Sequence, residues 1–516
     1  MSARTWLRIR KITQFLSFLL FMGLLIYSHA RDIPNTWSNL FYRLDPLIAM
    51  TAMLAGRTLI PILLYSLITL ILTVIFGRVW CGWFCPLGTL LEWFSPKKEI
   101  FGIKQPGRKW RKVKFIVLII MVSAAIMGNQ SLLFLDPISI LSRTMTTAIW
   151  PALRYLVFSA EAFLYQFEAL WEILDVFHNN ISMVVFRETE AVFSLAFPIF
   201  LTFAGLFVLN VFAERFWCRY LCPLGGLLGL LSRFSFLRRE VHMGCTHCGL
   251  CASKCPTGTI DPMNGNQSDP AECLVCYECI PLCKNESNSF KWQFPKWRMA
   301  SKQDYDPARR EVLLGLGAAL GGVALAGVEP IRKRQPARML RPPGVGKTDF
   351  YSLCLRCSAC VNVCPTQGLQ PSGLEGGWQN LMTPRLIPRL GACTFNCNAC
   401  TQVCPSGAIP PQTLEEKQTA VIGLASVNTQ RCLPWAYETP CIICEESCPL
   451  AEKAIKLEEE IVLNEDGVEV LLQKPVVMRK LCIGCGICEQ QCPMGGEAAI
   501  RVFSPTDLEN FLTNFW

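Results

Sequence analysis

The chain sets long apolar runs against polar stretches rich in cysteine, and the runs stop well before the C-terminus. Ile12 to Tyr27 follows the basic lead-in Trp6 to Lys11 (WLRIRK) and predicts an uncleaved first helix with its N-terminus in the cytoplasm. Leu59 to Phe76 predicts a second membrane helix, because its length approaches the roughly 20 residues that a bilayer demands. The cations after it (Lys97, Lys98, Lys104, Arg108, Lys109, Arg111, Lys112 and Lys114) hold that end inside. Phe115 to Met127 leads out again and Phe193 to Phe212 returns. The intervening Gly128 to Ala191 is rich in Trp and Phe, with scattered Glu161, Glu168, Glu172 and Asp175, and predicts amphipathic helices at the outer face.

A last apolar stretch, Ala308 to Pro330, divides the chain. Paired Arg309 and Arg310, then a Gly/Ala-rich run through Ala326, have the order of a twin-arginine export signal, with cleavage after Ala326 left open. An ordinary final transmembrane helix with two basic anchors fits the same residues. On either reading the chain crosses here, which predicts a periplasmic C-terminal module on a bacterial inner-membrane protein. The basic linker Ile331 to Lys347, with Arg332, Lys333, Arg334, Arg338 and Arg341, opposes that orientation by charge alone. Its GVGKT lacks the first glycine of a phosphate loop, since Arg341 stands there.

The fold class expected is an α-helical membrane domain of four to five transmembrane helices plus α+β ferredoxin-like iron-sulfur modules. The boundaries are 1–240 for the membrane domain, 241–300 for a cytoplasmic two-cluster module, 301–347 for the signal-like helix and linker, and 348–516 for a four-cluster module. A hydrophobic content of 51% excludes a wholly soluble chain. The net charge of +9 sits at the ends of apolar segments, so it marks topology and not nucleic acid.

The 28 cysteines all fall into metal-ligand spacings. Six quartets read as 4Fe-4S sites, because repeated CxxCxxCxxxC gathers three sulfurs round one point with a fourth from elsewhere. Zinc prefers paired CxxC knuckles, and disulfide scaffolds are small secreted domains. The inner quartets are Cys245, Cys248, Cys251, Cys255 and Cys273, Cys276, Cys279, Cys283. Two-cluster ferredoxins exchange fourth ligands, so Cys283 is expected with the first triplet and Cys255 with the second, where Lys284 replaces the trailing proline. The outer quartets are Cys354, Cys357, Cys360, Cys364; Cys393, Cys397, Cys400, Cys404; Cys432, Cys441, Cys444, Cys448; and Cys482, Cys485, Cys488, Cys492. Among these, exchange of the first with the fourth and of the second with the third is the expected pairing.

The membrane block also contains an internal repeat. LDPLIAM (Leu44 to Met50) with GRVWCGWFCPLG (Gly77 to Gly88) is matched by LDPISIL (Leu135 to Leu141) with ERFWCRYLCPLG (Glu214 to Gly225). Cys81, Cys85, Cys218 and Cys222 are therefore expected together at the cytoplasmic surface. They would hold a seventh cluster, act as redox dithiols beside Arg78, Arg215 or Arg219, or serve as buried structural residues. The four histidines (His29, His178, His242 and His247) and the lack of CxxCH disfavour haem, so no haem ladder joins the inner and outer modules.

The block to about Ser301 resembles the membrane polyferredoxin NapH, and shares its CxxxCP units with NosR and MauN. The remainder, with LRPPG (Leu340 to Gly344), CLRCSACVNVCP, CLPW before CIICEESCP, and CIGCGICEQQCP, is similar to the exported four-cluster ferredoxin NapG and to MauM. The chain thus looks like a NapH-NapG-like fusion. The resemblance implies a quinol dehydrogenase that draws on the membrane quinone pool, menaquinol or ubiquinol, and feeds a periplasmic reductase or its cytochrome c subunit. No residue reads as a nucleophile or general acid, so quinol oxidation would be its one chemistry. Two other readings remain open at this stage: a maturation factor that reduces metals or thiols of a periplasmic enzyme, and a hub with all six clusters in the cytoplasm.

Overall fold

The computed structural model describes residues 3–30, 36–95, 107–186, 192–242, 244–283, 287–294, 315–317, 319–321, 339–345, 350–463 and 469–504. Arg309, Arg310, Ala326, Lys284, Lys97, Lys98, Lys104 and the linker cations before Arg341 lie outside them.

Helix α1 (Ala3–Ala30) contains Arg4–Ser28, among the described residues the one helix long and apolar enough to cross a membrane. Two copies of one motif pack beside it. In the first, Asp45 caps α2 (Pro46–Gly56), its Oδ1 accepting from Leu47 N at 2.8 Å and Ile48 N at 3.2 Å. Helix α3 (Ser66–Phe76) leads to a π-helical turn, Trp80–Phe84, and Cys85 caps α4 (Pro86–Trp93). Helix α5 (Val113–Ile126) joins the copies. In the second, Asp136 caps α6 (Pro137–Thr144), accepting from Ile138 N at 3.0 Å and Ser139 N at 2.9 Å. Then come α7 (Trp150–Leu164), α8 (Ala196–Phe212), a second π turn at Trp217–Leu221, and α9 (Pro223–Ser232), capped by Cys222. Each cap is followed by proline, which needs no amide partner in the first turn and has its φ already set.

The expected spans after α1 do form helices, but shorter ones: Pro61–Phe76 opens in a 3-10 turn, α5 has 14 residues and α8 has 17. Apolar residues are spent instead on the half-helices α2, α4, α6 and α9, which hydropathy alone does not separate. Helix α6 corrects the expectation of outer-face helices over Gly128 to Ala191, because all eight of its residues are buried. As the partner of α2 in the repeat it belongs to the core, whereas α7 keeps exposed Tyr155 and Leu156.

Beyond α9, β1 (Leu237–Val241) pairs antiparallel with β2 (Asn288–Trp292), bracketing the inner cysteines. The C-terminal module has a short helix, α10 (Ala359–Val363), one small antiparallel pair of Leu369–Pro371 with Pro384–Leu386, and two larger pairs. They are β3 (Leu424–Val427) with β6 (Ile500–Phe503), and the hairpin β4 (Ile455–Leu463) with β5 (Glu469–Val477).

The two cysteine-rich modules grip opposite ends of α1. Near its start, Trp6 stacks on Tyr277 with centroids 5.4 Å apart, and Arg10 Nη1 donates to the Cys276 carbonyl at 3.3 Å. Near its end, Asn362 Nδ2 donates to the Leu25 carbonyl at 3.1 Å and to Ser28 Oγ at 2.8 Å. Arg10 and Ser28 are about 27 Å apart along a helix rising 1.5 Å per residue, close to the roughly 30 Å hydrocarbon core of a bilayer.

Candidate iron-sulfur sites

The repeat brings all four CxxxCP cysteines into one buried group. Cys81, Cys85, Cys218 and Cys222 are each less than a tenth exposed and share one apolar core. Each lies within electrostatic reach of the others. Gly88 N points at Cys85 Sγ (3.5 Å) and Gly225 N at Cys222 Sγ (3.3 Å). They do not emerge at a surface as the sequence suggested, because α4 and α9 continue the chain back into the block after each turn. Their level on α1 is fixed by Gln14 Nε2 donating to the Gly82 carbonyl at 3.0 Å and by Ser17 Oγ donating to the Phe84 carbonyl at 2.7 Å. The group thus lies between the two modules along α1.

Buried charge surrounds it. Arg215 Nη1 donates to the Cys81 carbonyl at 3.0 Å and its guanidinium pairs with Glu92, which also pairs with Arg10. Arg78 pairs with Glu272 at 3.3 Å, and Lys114 holds the same carboxylate at 2.6 Å. Arg78 and Arg215 both lie within reach of the thiols, which suits a group carrying negative charge. Of the cations named from sequence, Arg219 turns instead toward Gly258 in the inner module.

The inner module docks directly on this group. Trp83 Nε1 donates to the Val275 carbonyl at 3.1 Å and Arg78 Nη1 to the Ala271 carbonyl at 3.0 Å. Arg215 reaches both Cys218 and Cys276. Cys255 lies with Cys273, Cys276 and Cys279, as the exchange rule expects. Burial pushes the Cys273 and Cys279 thiols up to about 12. Cys245, which accepts from Asn266 Nδ2 at 3.4 Å, is shifted down by that hydrogen bond.

The outer module forms four cavities, each walled by four cysteines. Site 1 is walled by Cys354, Cys357, Cys360 and Cys404 and site 2 by Cys364, Cys393, Cys397 and Cys400. Site 3 is walled by Cys448, Cys482, Cys485 and Cys488 and site 4 by Cys432, Cys441, Cys444 and Cys492. Fourth cysteines are therefore exchanged between the first and second quartets and between the third and fourth. The sequence-based pairing of first with fourth and second with third is wrong. Exchange between neighbours closes the shorter loops, which costs less chain entropy.

The sites form a series. Cys360 of site 1 lies within reach of Cys400 of site 2, and Cys393 N of site 2 donates to the Cys485 carbonyl of site 3 at 2.9 Å. Cys488 of site 3 lies within reach of Cys444 of site 4. Site 1 abuts the helical block, where Tyr42 Oη donates to the Cys357 carbonyl at 3.4 Å and Arg143 Nη1 to the Arg356 carbonyl at 3.3 Å.

These cavities fit a polynuclear cluster better than a single ion. Thiolates about 2.3 Å from one tetrahedral zinc stand about 3.8 Å from each other, and among the described residues no three His, Cys, Asp or Glu side chains are gathered tightly enough to hold a metal ion. Burial also raises the outer thiols, Cys393 and Cys432 to about 11 and Cys444 to about 12, so binding iron must expel protons.

Sequence reasoning missed one further convergence. Asp45 and Asp136, the repeat's two helix caps, are fully buried and within reach of each other. The signal was present in the repeated Leu-Asp-Pro.

Comparison with known proteins agrees with the cysteine arithmetic. A family described as a 4Fe-4S binding domain matches residues 58–112 and 195–243, the two segments with the CxxxCP turns. A 4Fe-4S dicluster domain matches 337–409, and another 4Fe-4S binding domain matches 475–496. The methylamine utilization ferredoxin-type protein MauM of Methylorubrum extorquens is 36% identical over 203 residues, 38% of this chain and 89% of that protein. Protein NirI of Paracoccus denitrificans is 30% identical over 214 residues, 39% of this chain and 24% of that protein. The ferredoxin-type protein NapH of Haemophilus influenzae is 24% identical over 264 residues, 48% of this chain and 75% of that protein. No solved structure matches. With several 4Fe-4S ferredoxin domains and nearly the whole of MauM matched at 36% identity, the chain belongs to the MauM kind of ferredoxin-type iron-sulfur electron-transfer proteins and is similar to NapH.

Proposed function

We propose that this protein is a membrane-embedded relay that takes electrons from quinol and delivers them to a soluble periplasmic reductase. The six quartets would hold 4Fe-4S clusters, and Cys81, Cys85, Cys218 and Cys222 a seventh. Such clusters accept and pass single electrons at potentials tuned by burial and neighbouring charge.

The observation that carries this reading is the position of the buried four-cysteine group. It lies beside Cys276 on one side and, along α1, on the way to site 1 on the other. The gap between inner and outer modules that a haem ladder would otherwise fill then has an occupant of its own. Docking of the modules at opposite ends of α1 argues against a hub with every cluster in the cytoplasm. The chain's own part is to hold the sites in series and to keep them dry; Arg78 and Arg215 balance the charge of the innermost set.

Iron analysis of the anaerobically purified chain tests the seventh site. The expected content is about 28 iron atoms per chain, falling to about 24 when Cys81 and Cys218 are both replaced by alanine. A wild-type content near 24, unchanged by that replacement, would leave the buried thiols as structure alone.

A further inference from the structure

A partly open cavity lies where α1, the helical block and site 1 meet. Its apolar wall includes Phe21, Leu24 and Phe41, and its polar wall Tyr42, Ser142 and Asn362. It is also bounded by Ala359 and Val403, the immediate neighbours of the site 1 cysteines Cys360 and Cys404. The mixed lining, apolar on one wall and polar on the other, suits a polar ring.

Two further observations concern what would occupy it. Leu16, Leu20 and Leu24 stand one turn apart on one face of α1, and the first two are about half exposed. An apolar stripe thus runs from the outside of the helix into the cavity, as a lipid-soluble tail requires. Behind the polar wall, the Tyr42 and Ser142 hydroxyls are hydrogen-bonded to each other, and Tyr42 lies within reach of Asp136. Asp45 Oδ1 and Asp136 Oδ2 are occupied by helix amides, while Asp45 Oδ2 and Asp136 Oδ1 receive no donor from the described residues. Two carboxyls buried within reach of each other, with no cation or amide on their free oxygens, cannot both stay ionised, so the pair holds a proton. The pair therefore already shares one proton and has room for a second.

We infer that this cavity is the quinol-oxidation site, with site 1 beside it as the electron acceptor and the Asp45–Asp136 pair as the proton acceptor. The inference rests on the relay reading above and gives it a place. Oxidation breaks both ring O–H bonds and yields the quinone, two protons and two electrons. The electrons leave one at a time toward site 1 and finally reach the soluble oxidant beyond site 4. One proton fills the vacancy in the carboxyl pair; the second follows once the pair has released a proton to the outer water.

The test uses the full chain with its clusters, in lipid nanodiscs, a photoreactive azidoquinone, and quinol-driven cluster reduction followed by EPR. The label is expected on segments 21–28, 38–42 or 359–363. Leu24→Trp, which fills the cavity, should lower both labelling and quinol-driven reduction more than tenfold, while dithionite still reduces every cluster. Asp45→Asn and Asp136→Asn keep a residue type that caps helices well; they should leave labelling within about twofold of wild type and slow quinol-driven reduction more than tenfold. If quinol reduces wild type and the three variants alike, or the label falls elsewhere, the site is overturned and the relay stands. If quinol does not reduce the wild-type clusters at all, the relay reading fails and takes the site with it.

Discussion

Gly82, in the first CxxxCP turn, lies where the helical block and the inner module are in close backbone contact. A methyl group there would lie 2.4 Å from the Leu274 carbonyl oxygen and 3.3 Å from Leu274 Cβ. The first distance is about 1 Å short of ordinary contact. The Leu274 peptide has little freedom to retreat, since it lies between the site cysteines Cys273 and Cys276, and the Val275 carbonyl is held by Trp83. Overpacking costs about 1–3 kcal/mol, and opposition from backbone puts this case near about 3. At about 1.4 kcal/mol per factor of ten, Gly82→Ala should therefore weaken docking of the inner module about a hundredfold. Hydrogen exchange of the full chain in detergent reads this directly, as a comparable loss of protection for amides 274–277. Two other glycines calibrate the scale. At Gly229 the methyl would stand 3.0 Å from the Ala271 carbonyl, a milder conflict, and at Gly205 it would meet nothing within 4 Å. Gly205→Ala should be neutral or stabilise α8 by about 0.5–1 kcal/mol. Should Gly82→Ala leave protection within threefold of wild type, the contact between the CxxxCP turn and the inner module is not the one described.

The ligand exchange and the buried thiols give two more predictions. Replacing Cys404 by alanine should expose Cys354, Cys357 and Cys360 to alkylation in the native chain, and leave Cys432, Cys441 and Cys444 protected; mass-spectrometric mapping that finds the second set labelled would restore the other pairing. The iron-free chain should lose stability as pH rises from about 8.5, the ordinary thiol value, toward the values near 12 to which burial pushes Cys273, Cys279 and Cys444. Below that window these thiols are neutral in the folded and unfolded chains alike; within it only the unfolded chain ionises them, which favours unfolding. A chain loaded with iron has already lost these protons and should show little of this dependence in the same urea titration.

The quartets were legible in the sequence: four follow CxxCxxCxxxC, a local arrangement that gathers three cysteines over seven residues, whereas those beginning at Cys393 and Cys432 are widened between their first two cysteines. The fourth ligand is a tertiary fact. In the inner module the exchange rule placed Cys255 correctly, since only two quartets were available. In the outer module four quartets allow several exchanges, and the expected pairing was not the one the cavities show. The seam between Cys393 and Cys485 brings the second and third quartets side by side without any ligand crossing it. The depth of the CxxxCP cysteines was missed for another reason. Leu87 to Leu91 and Leu224 to Leu228 continue each motif with buried apolar residues, but each run is too short to register as a span.

The repeat itself explains why both buried groups exist in the helical block. One copy supplies two thiols, half of what a cluster needs, and one buried carboxyl, which on its own would carry an uncompensated charge or an idle proton. Packing the second copy against the first completes both. The π turns at Trp80–Phe84 and Trp217–Leu221 carry the cysteines inward, and the caps at Asp45 and Asp136 bring the carboxyls together next to site 1. Neither group can form in a chain with a single copy, and damage to one copy should disable both its thiol pair and its share of the proton site. On the proposed reading the electron path and the proton path meet at this one packing interface, so that electrons and protons would leave the same ring in different directions.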